Sequence, residues 1–193
     1  MNFAEKTFEN QKFSGILCPG EDLRYKEFLK CRFERCDFSG CKLSGSTFID
    51  CTFDTCNLSN IKVEKCSFQE VSFEHCKLLG ILFQPINSFL VNWTFNKCKI
   101  ELCSFSELNI KNTKFVECEI RETDFFNTNL TGADFTNSDL GNSKFQNSNL
   151  EKANFVGAKN YFIDPTINKL KQARFSYPDV LALLENFGVK IDY

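Results

Sequence analysis

From residue 95 to residue 155 the chain reads FNKCK IELCS FSELN IKNTK FVECE IRETD FFNTN LTGAD FTNSD LGNSK FQNSN LEKAN F. Every fifth residue is large and apolar: Phe95, Ile100, Phe105, Ile110, Phe115, Ile120, Phe125, Leu130, Phe135, Leu140, Phe145, Leu150 and Phe155. Two residues ahead of each lies a second series, which after Trp93 is small everywhere but Leu108, as at Cys98, Thr113, Cys118, Ala133 and Ser138. A period of five matches neither the 3.6 of a helix nor the 2 of a strand. It belongs to a repeated unit that turns once per repeat.

Working outward, the same rhythm runs from Phe3 to Phe83 in another phase. Phe83 and Phe95 are twelve residues apart, two more than two repeats, so something is inserted between them. A longer period also shows: Phe28, Phe48 and Phe68 are twenty apart, as are Phe33, Phe53 and Phe73. Four repeats therefore make one coil, each repeat forming one side of a square. Stacked coils place equivalent residues above one another at about 4.8 Å, as strands do in a sheet. The large and small residues point inward. Corner positions often hold Gly or Asn, as at Gly40, Gly45, Asn60, Gly80, Asn127, Gly132, Asn137, Asn142 and Asn147, residues that tolerate positive φ.

Composition narrows the function. The 193 residues include 23 Phe, and the formal net charge is -2. That balance carries no general affinity for nucleic acid or anionic membrane. The first residues lack a signal-peptide core, and no apolar run approaches the ~18 residues that span a bilayer. The expectation is a soluble cytoplasmic protein. Of the 11 cysteines, all but Cys18 fall on the small inward position, so Cys serves as a small buried hydrophobe. There is no CxxC and only one histidine, so zinc-ligand spacing is missing. His75 falls at a solvated corner. No phosphate-binding glycine motif, GxSxG or HExxH occurs. The expectation is a binding protein without catalytic residues, cofactor or metal.

Units such as Cys-Asp-Phe-Ser-Gly (36–40) and Ala-Asp-Phe-Thr-Asn (133–137) resemble the motif of the pentapeptide-repeat family. The resemblance covers roughly residues 28–157. It implies an all-β solenoid, a right-handed quadrilateral β-helix. The Pro85…Ser88-Phe-Leu-Val-Asn92 junction and the tail from Asp164-Pro165 through Ser176-Tyr-Pro178 to Gly188-Val189 look like the topoisomerase-protecting branch, of Qnr and microcin-immunity type. That likeness implies binding to bacterial DNA gyrase or topoisomerase IV, with protection from quinolones or a peptide toxin by partial DNA mimicry. A pentapeptide-repeat scaffold for an unrelated protein partner is the alternative. Neither reading involves direct nucleic-acid or membrane binding.

The expected organisation is an irregular N-terminal capping coil (1–27), two solenoid parts (28–83 and 95–157) separated by a loop (84–94), and a C-terminal cap (158–193) with a short α-helix. Within the cap, Asp164-Pro165 and Ser176 read as helix starts. Trp93 is too large for the small slot it occupies, so it is expected to leave the column with the loop. Candidate partner contacts are Asn87, Phe89, Asn92 and Trp93. Acidic candidates are Glu101, Glu117, Glu119, Glu122, Asp124, Asp134 and Asp139. Together with Glu107 they oppose only Lys111, Lys114 and Arg121 across residues 101–139. Yet a duplex as long as the rod, ~36 Å at ~4.8 Å per coil, carries ~21 charges, far above the net -2. Asn109, Asn129 and Asn149 are expected to form an amide ladder along one face. Leu181, Leu184, Phe187, Val189 and Ile191 are the candidate homodimer interface.

Overall fold

A computed structural model describes residues 3–189. Each repeat contributes about three extended residues and one corner residue with φ near +50 to +73°. The extended N–H and C=O groups point along the axis and bond to the coils above and below. Glu27 N–H donates to the Lys6 carbonyl at 2.9 Å, and Thr47 N–H to that of Lys26 at 2.8 Å. The product is a parallel β-solenoid of about eight turns with four walls. The first wall carries strands Thr7–Glu9, Glu27–Leu29, Thr47–Ile49 and Ser67–Gln69. The second carries a run of six, from Lys12–Ser14 to Lys114–Val116, and further along Asn154–Phe155 and Arg174–Phe175. The third carries Lys77–Leu79, Lys99–Glu101 and Glu119–Arg121. The fourth is built mainly of turns, such as that closed by Ser46 N–H on the Leu43 carbonyl at 2.9 Å.

All nine Gly and Asn corners named above have positive φ. So do Lys30, Arg35, Asp50, Glu70 and His75. A branchless Gly costs nothing there, whereas an ordinary L-residue pays about 1–2 kcal/mol. The neighbouring coils hold these residues in place through the ladder bonds. Gly45 is a tighter case, since a Cβ there would lie 2.6 Å from the Tyr25 ring.

Inside, the large residues stack in columns. On the second wall Phe13, Phe33, Phe53 and Phe73 continue through Phe95, Phe115, Phe135, Phe155 and Phe175, with neighbouring rings 4.7–5.3 Å apart and nearly parallel. The small slots do more than fill space. Most of the hydroxyls and thiols donate to the carbonyl of a large residue one coil back: Cys51 to Phe28 at 3.3 Å, Cys76 to Phe53 at 3.3 Å, Thr128 to Phe105 at 3.0 Å, Ser143 to Ile120 at 3.0 Å. This explains why Cys, Ser and Thr predominate over Ala, and it corrects the view of Cys as a hydrophobe only.

All 11 cysteines are free and buried. Burial pushes the Cys51 and Cys66 thiols up to about 12 and Cys103 up to about 11. Thiol reagents act on the thiolate, so native protein at neutral pH is expected to label at fewer than one site, and denatured protein at all 11. These pKa values lie above that of an unfolded thiol, so the stability they support is complete below about pH 8.5 and declines as pH rises further. Denaturant midpoints across pH 7–10 check this.

Residues 3–27 were expected to be irregular, but they form a coil in register. Phe8 pairs with Phe28 and Phe13 with Phe33. The polar residues at its small slots, Lys6, Gln11 and Glu21, are exposed because no coil stacks beyond them, while Lys26, half-buried, lies one coil above Lys6 and donates its ammonium to the Glu5 carbonyl at 2.7 Å. Phe3 plugs the open end, 5.2–6.2 Å from the rings of Phe8, Phe13, Phe28 and Phe38. At the other end the solenoid runs past residue 157. Strand Phe162–Ile163 pairs with Lys144–Phe145, and Arg174–Phe175 with Asn154–Phe155. Asp164-Pro165 starts a turn rather than a helix, with Thr166 N–H and Oγ1 both donating to Asp164 Oδ1. The single helix among the described residues, Asp179–Phe187, is a 3-10 helix and not the expected α-helix. Gly188 ends it at φ +63°, its N–H donating to the Glu185 carbonyl. Ala182 and Leu183 pack it on the last coil.

Candidate functional site

The outer wall is regular except at the junction and at the C-terminal end. At the junction the pairing interval lengthens from twenty to twenty-two: Phe53 pairs with Phe73, but Phe73 with Phe95. Asn87 is still bridged to Ser67, and Ile86 is buried. The chain then leaves the first wall. Phe89 is 68% exposed and Leu90 62%. The Phe89 N–H donates to Asn87 Oδ1 at 3.2 Å, and Asn92 Nδ2 donates to Glu70 Oε2 at 2.7 Å, so both asparagines tie the bulge down.

Trp93 does not belong to this bulge. It is 1% exposed, lies in strand Trp93–Asn96 and points inward. With Ser88, Phe89 and Leu90 outside, the first wall of this coil supplies no large inward side chain. The indole takes that space, its ring centre 5.4–6.2 Å from those of Phe68, Phe83, Phe95 and Phe105. Its N–H donates to the Phe68 carbonyl at 3.0 Å, the bond a slot thiol makes elsewhere. The bulge also leaves the buried Thr113 hydroxyl without a partner. The donor slot before it reaches 25 residues back, Cys103 to Leu78, and the slot after it 23, Cys118 to Phe95, so the acceptor that Thr113 lacks falls within residues 88–90 of the bulge. Leu90 is the exposed apolar residue of the bulge that sequence reasoning missed. Its signal was the break in phase, which leaves every apolar residue between Ile86 and Trp93 without an assigned direction.

The acidic candidates do not form one stripe. Glu117 and Asp134 are on the second wall, Glu101, Glu119, Glu122 and Asp139 on the third or its corner, and Asp124, with Glu107, on the fourth. Several are paired: Lys97–Glu117 at 3.7 Å, Lys99–Glu101 at 3.2 Å, and Arg121 with both Glu119 (2.6 Å) and Asp139 (3.0 Å). Asp134 accepts from Asn154 Nδ2 at 3.1 Å, and Asp124 from the Phe126 N–H at 3.0 Å. Glu107 and Glu122 stay exposed, with no cation in ion-pair range among the described residues. Asn109, Asn129 and Asn149 do stack in register. Their amides do not bond along the stack, however; Asn129 Oδ1 accepts from Thr131 N–H and Asn149 Oδ1 from Glu151 N–H, each closing its own turn. His75 is exposed at its corner, 3.6 Å from Asp54.

At the C-terminal end Leu181 is half-buried, while Leu184, Phe187 and Val189 are exposed. Ile191 lies outside the described residues. Between the helix and the third wall is a cleft of about 660 Å³. Tyr161 lines it, 4% exposed, with a hydroxyl that has no partner. Burial, and secondarily the Asp179 carboxylate, push the phenol up to about 12. Sequence reasoning missed this place because Tyr161 sits off the five-residue grid. Among the described residues no group of three His, Cys, Asp or Glu is placed to hold a metal ion, and no helix is long and apolar enough to cross a membrane.

Known proteins resemble the chain in fold. The structure of a trypsin-treated QnrB1 variant, a plasmid-mediated fluoroquinolone resistance protein, superposes with a TM-score of 0.64 at 15% identity, covering 97% of this chain and 99% of that one. HetL, a pentapeptide repeat protein involved in heterocyst differentiation regulation from the cyanobacterium Nostoc sp. strain PCC 7120, superposes at 0.55 with 16% identity, covering 90% and 86%. A comparison with curated proteins returns no match. The pentapeptide repeat region profile matches residues 26–88 and 84–155. With its square coils, its inward Phe columns and two matches spanning most of its length, the chain belongs to the pentapeptide-repeat family.

Proposed function

We propose that this protein is a non-enzymatic binding rod that docks on a bacterial type II topoisomerase and protects it from a quinolone or a peptide toxin. The observation that carries the reading is the Phe89–Leu90 knuckle. Two adjacent large apolar side chains stand in water where the chain bulges off the first wall, and exposed apolar surface rimmed by polar residues marks protein contacts. The QnrB1-like fold supports topoisomerase as the partner class. Because the acids spread over three walls and several are neutralised within the rod, docking rests on shape and the knuckle, with DNA mimicry only partial. The active form is a homodimer through the exposed Leu184, Phe187 and Val189 row, with Leu181 behind it. Sedimentation showing monomer alone at micromolar concentration would remove that part.

Purified gyrase, assayed for supercoiling with a quinolone, tests the reading directly. The wild-type protein is expected to raise the inhibitory drug concentration. Phe89→Ser combined with Leu90→Ser is expected to remove most of that effect, about tenfold or more in affinity, without changing the denaturation midpoint. No protection of gyrase or topoisomerase IV by the wild type, with no change in quinolone or microcin sensitivity of a susceptible bacterium, sinks the topoisomerase reading. The internal pairing of the acids favours a second reading, a scaffold for an unrelated protein partner. A pull-down that enriches one such protein and depends on Phe89 and Leu90 would establish it.

A further inference from the structure

The cleft under the terminal helix has a directional chemistry of its own. In a 3-10 helix residues three apart eclipse one another. Asp179, Ala182 and Glu185 therefore make one row, and all three line the cleft. At about 2.0 Å rise per residue the two carboxylates stand roughly 12 Å apart along the helix, and the small Ala182 leaves the space between them open. Across the cleft Arg121 is already committed to Glu119 and Asp139. Asp139 is likewise committed, accepting from Arg121 Nη2 at 3.0 Å and Asn160 Nδ2 at 2.8 Å. Asp179 and Glu185 have no cation in ion-pair range and accept no side-chain hydrogen bond among the described residues. On the rim, Phe162 is 53% exposed and can offer its ring face to a cation. Tyr161 lines the same space, its buried hydroxyl lacks a partner, and buried hydroxyls are normally bonded. Two separated anions, an aromatic rim and an orphan hydroxyl call for one occupant, a cation carrying N–H donors at more than one point along an extended chain.

We propose that this cleft binds an elongated organic polycation, its ammonium or guanidinium groups meeting Asp179 and Glu185 and donating to the Tyr161 hydroxyl. The same chemistry reaches the cleft either as a free polyamine or as Lys and Arg side chains of a partner protein. The site stands apart from the Phe89–Leu90 knuckle and does not depend on the topoisomerase reading.

The test is calorimetric titration of the full chain at low ionic strength with spermidine, and separately with a trilysine peptide. Tyr161→Phe keeps the ring and removes only the hydroxyl; Glu185→Gln alters an exposed side chain that the fold does not need. Each is expected to weaken binding by about tenfold, as loss of one charge-assisted hydrogen bond does, with an unchanged denaturation midpoint without ligand. Spermidine binding with that sensitivity supports the proposal with a free amine as the source. Binding of trilysine alone, with the same sensitivity, supports it with partner side chains as the source. If neither probe binds, or if both variants bind as tightly as wild type, the proposal is wrong.

Discussion

Phe115→Asp is expected to leave no folded protein at 25 °C. Phe115 is 0% exposed, and its ring lies between Phe95 at 5.0 Å and Phe135 at 5.1 Å. It also meets Phe105 and Phe125 edge-on. Truncating such a ring costs about 3–5 kcal/mol through lost transfer energy and the cavity left behind. The carboxylate adds the cost of an unpaired buried charge. Total domain stability is only about 5–15 kcal/mol. A solenoid is held coil to coil, so failure in the middle separates the two halves. Circular dichroism and denaturant titration provide the check, with Phe115→Leu as a control that stays folded. A soluble, folded Phe115→Asp protein would mean that the large residues do not point inward.

Trp93→Ala is expected to destabilise the protein by about 3–5 kcal/mol from the ring alone, with up to about 1–3 kcal/mol more from the Phe68 carbonyl left without its donor. Trp93→Phe should fall between wild type and Ala, because it refills part of the volume but restores no N–H. The measurement is the urea midpoint of the three proteins, with the emission maximum of the lone tryptophan as a second readout. A blue-shifted native emission that moves red on unfolding accords with burial. A loss below about 1 kcal/mol in Trp93→Ala, the level of an ordinary surface change, would place the indole on the outer wall. The same comparison separates Trp93 from Phe89 and Leu90, whose replacement should leave stability intact.

Much of the architecture could be read locally. Phe95 to Phe155 announces its inward direction every five residues, and corners such as Asn60 and Gly132 announce the turns. Where the grid is intact, as at Cys76 or Ser138, the reading needed only the added insight that the slot side chain donates to a carbonyl one coil back. The misreadings cluster where the grid breaks. Trp93 looked like a bulge residue because its size contradicts its slot, and the vacancy that accepts it arises only once Ser88, Phe89 and Leu90 have left the column. Residues 158–175 looked like a cap because Tyr161 and Asn168 break the pattern, yet the ladder bonds carry the coil onward.

The covalent repeat by itself therefore determined the square tube, its inward columns and its polar outer wall, because those follow from side-chain direction within each five residues. Which outer charges neutralise one another, which large ring fills the gap at the junction, and how Tyr161 meets Asp179 were decided only in the folded rod. Apart from pairs two residues apart along a strand, such as Lys99–Glu101, those contacts cross from one coil to another, and an insertion of two residues changes which residues stand next to each other.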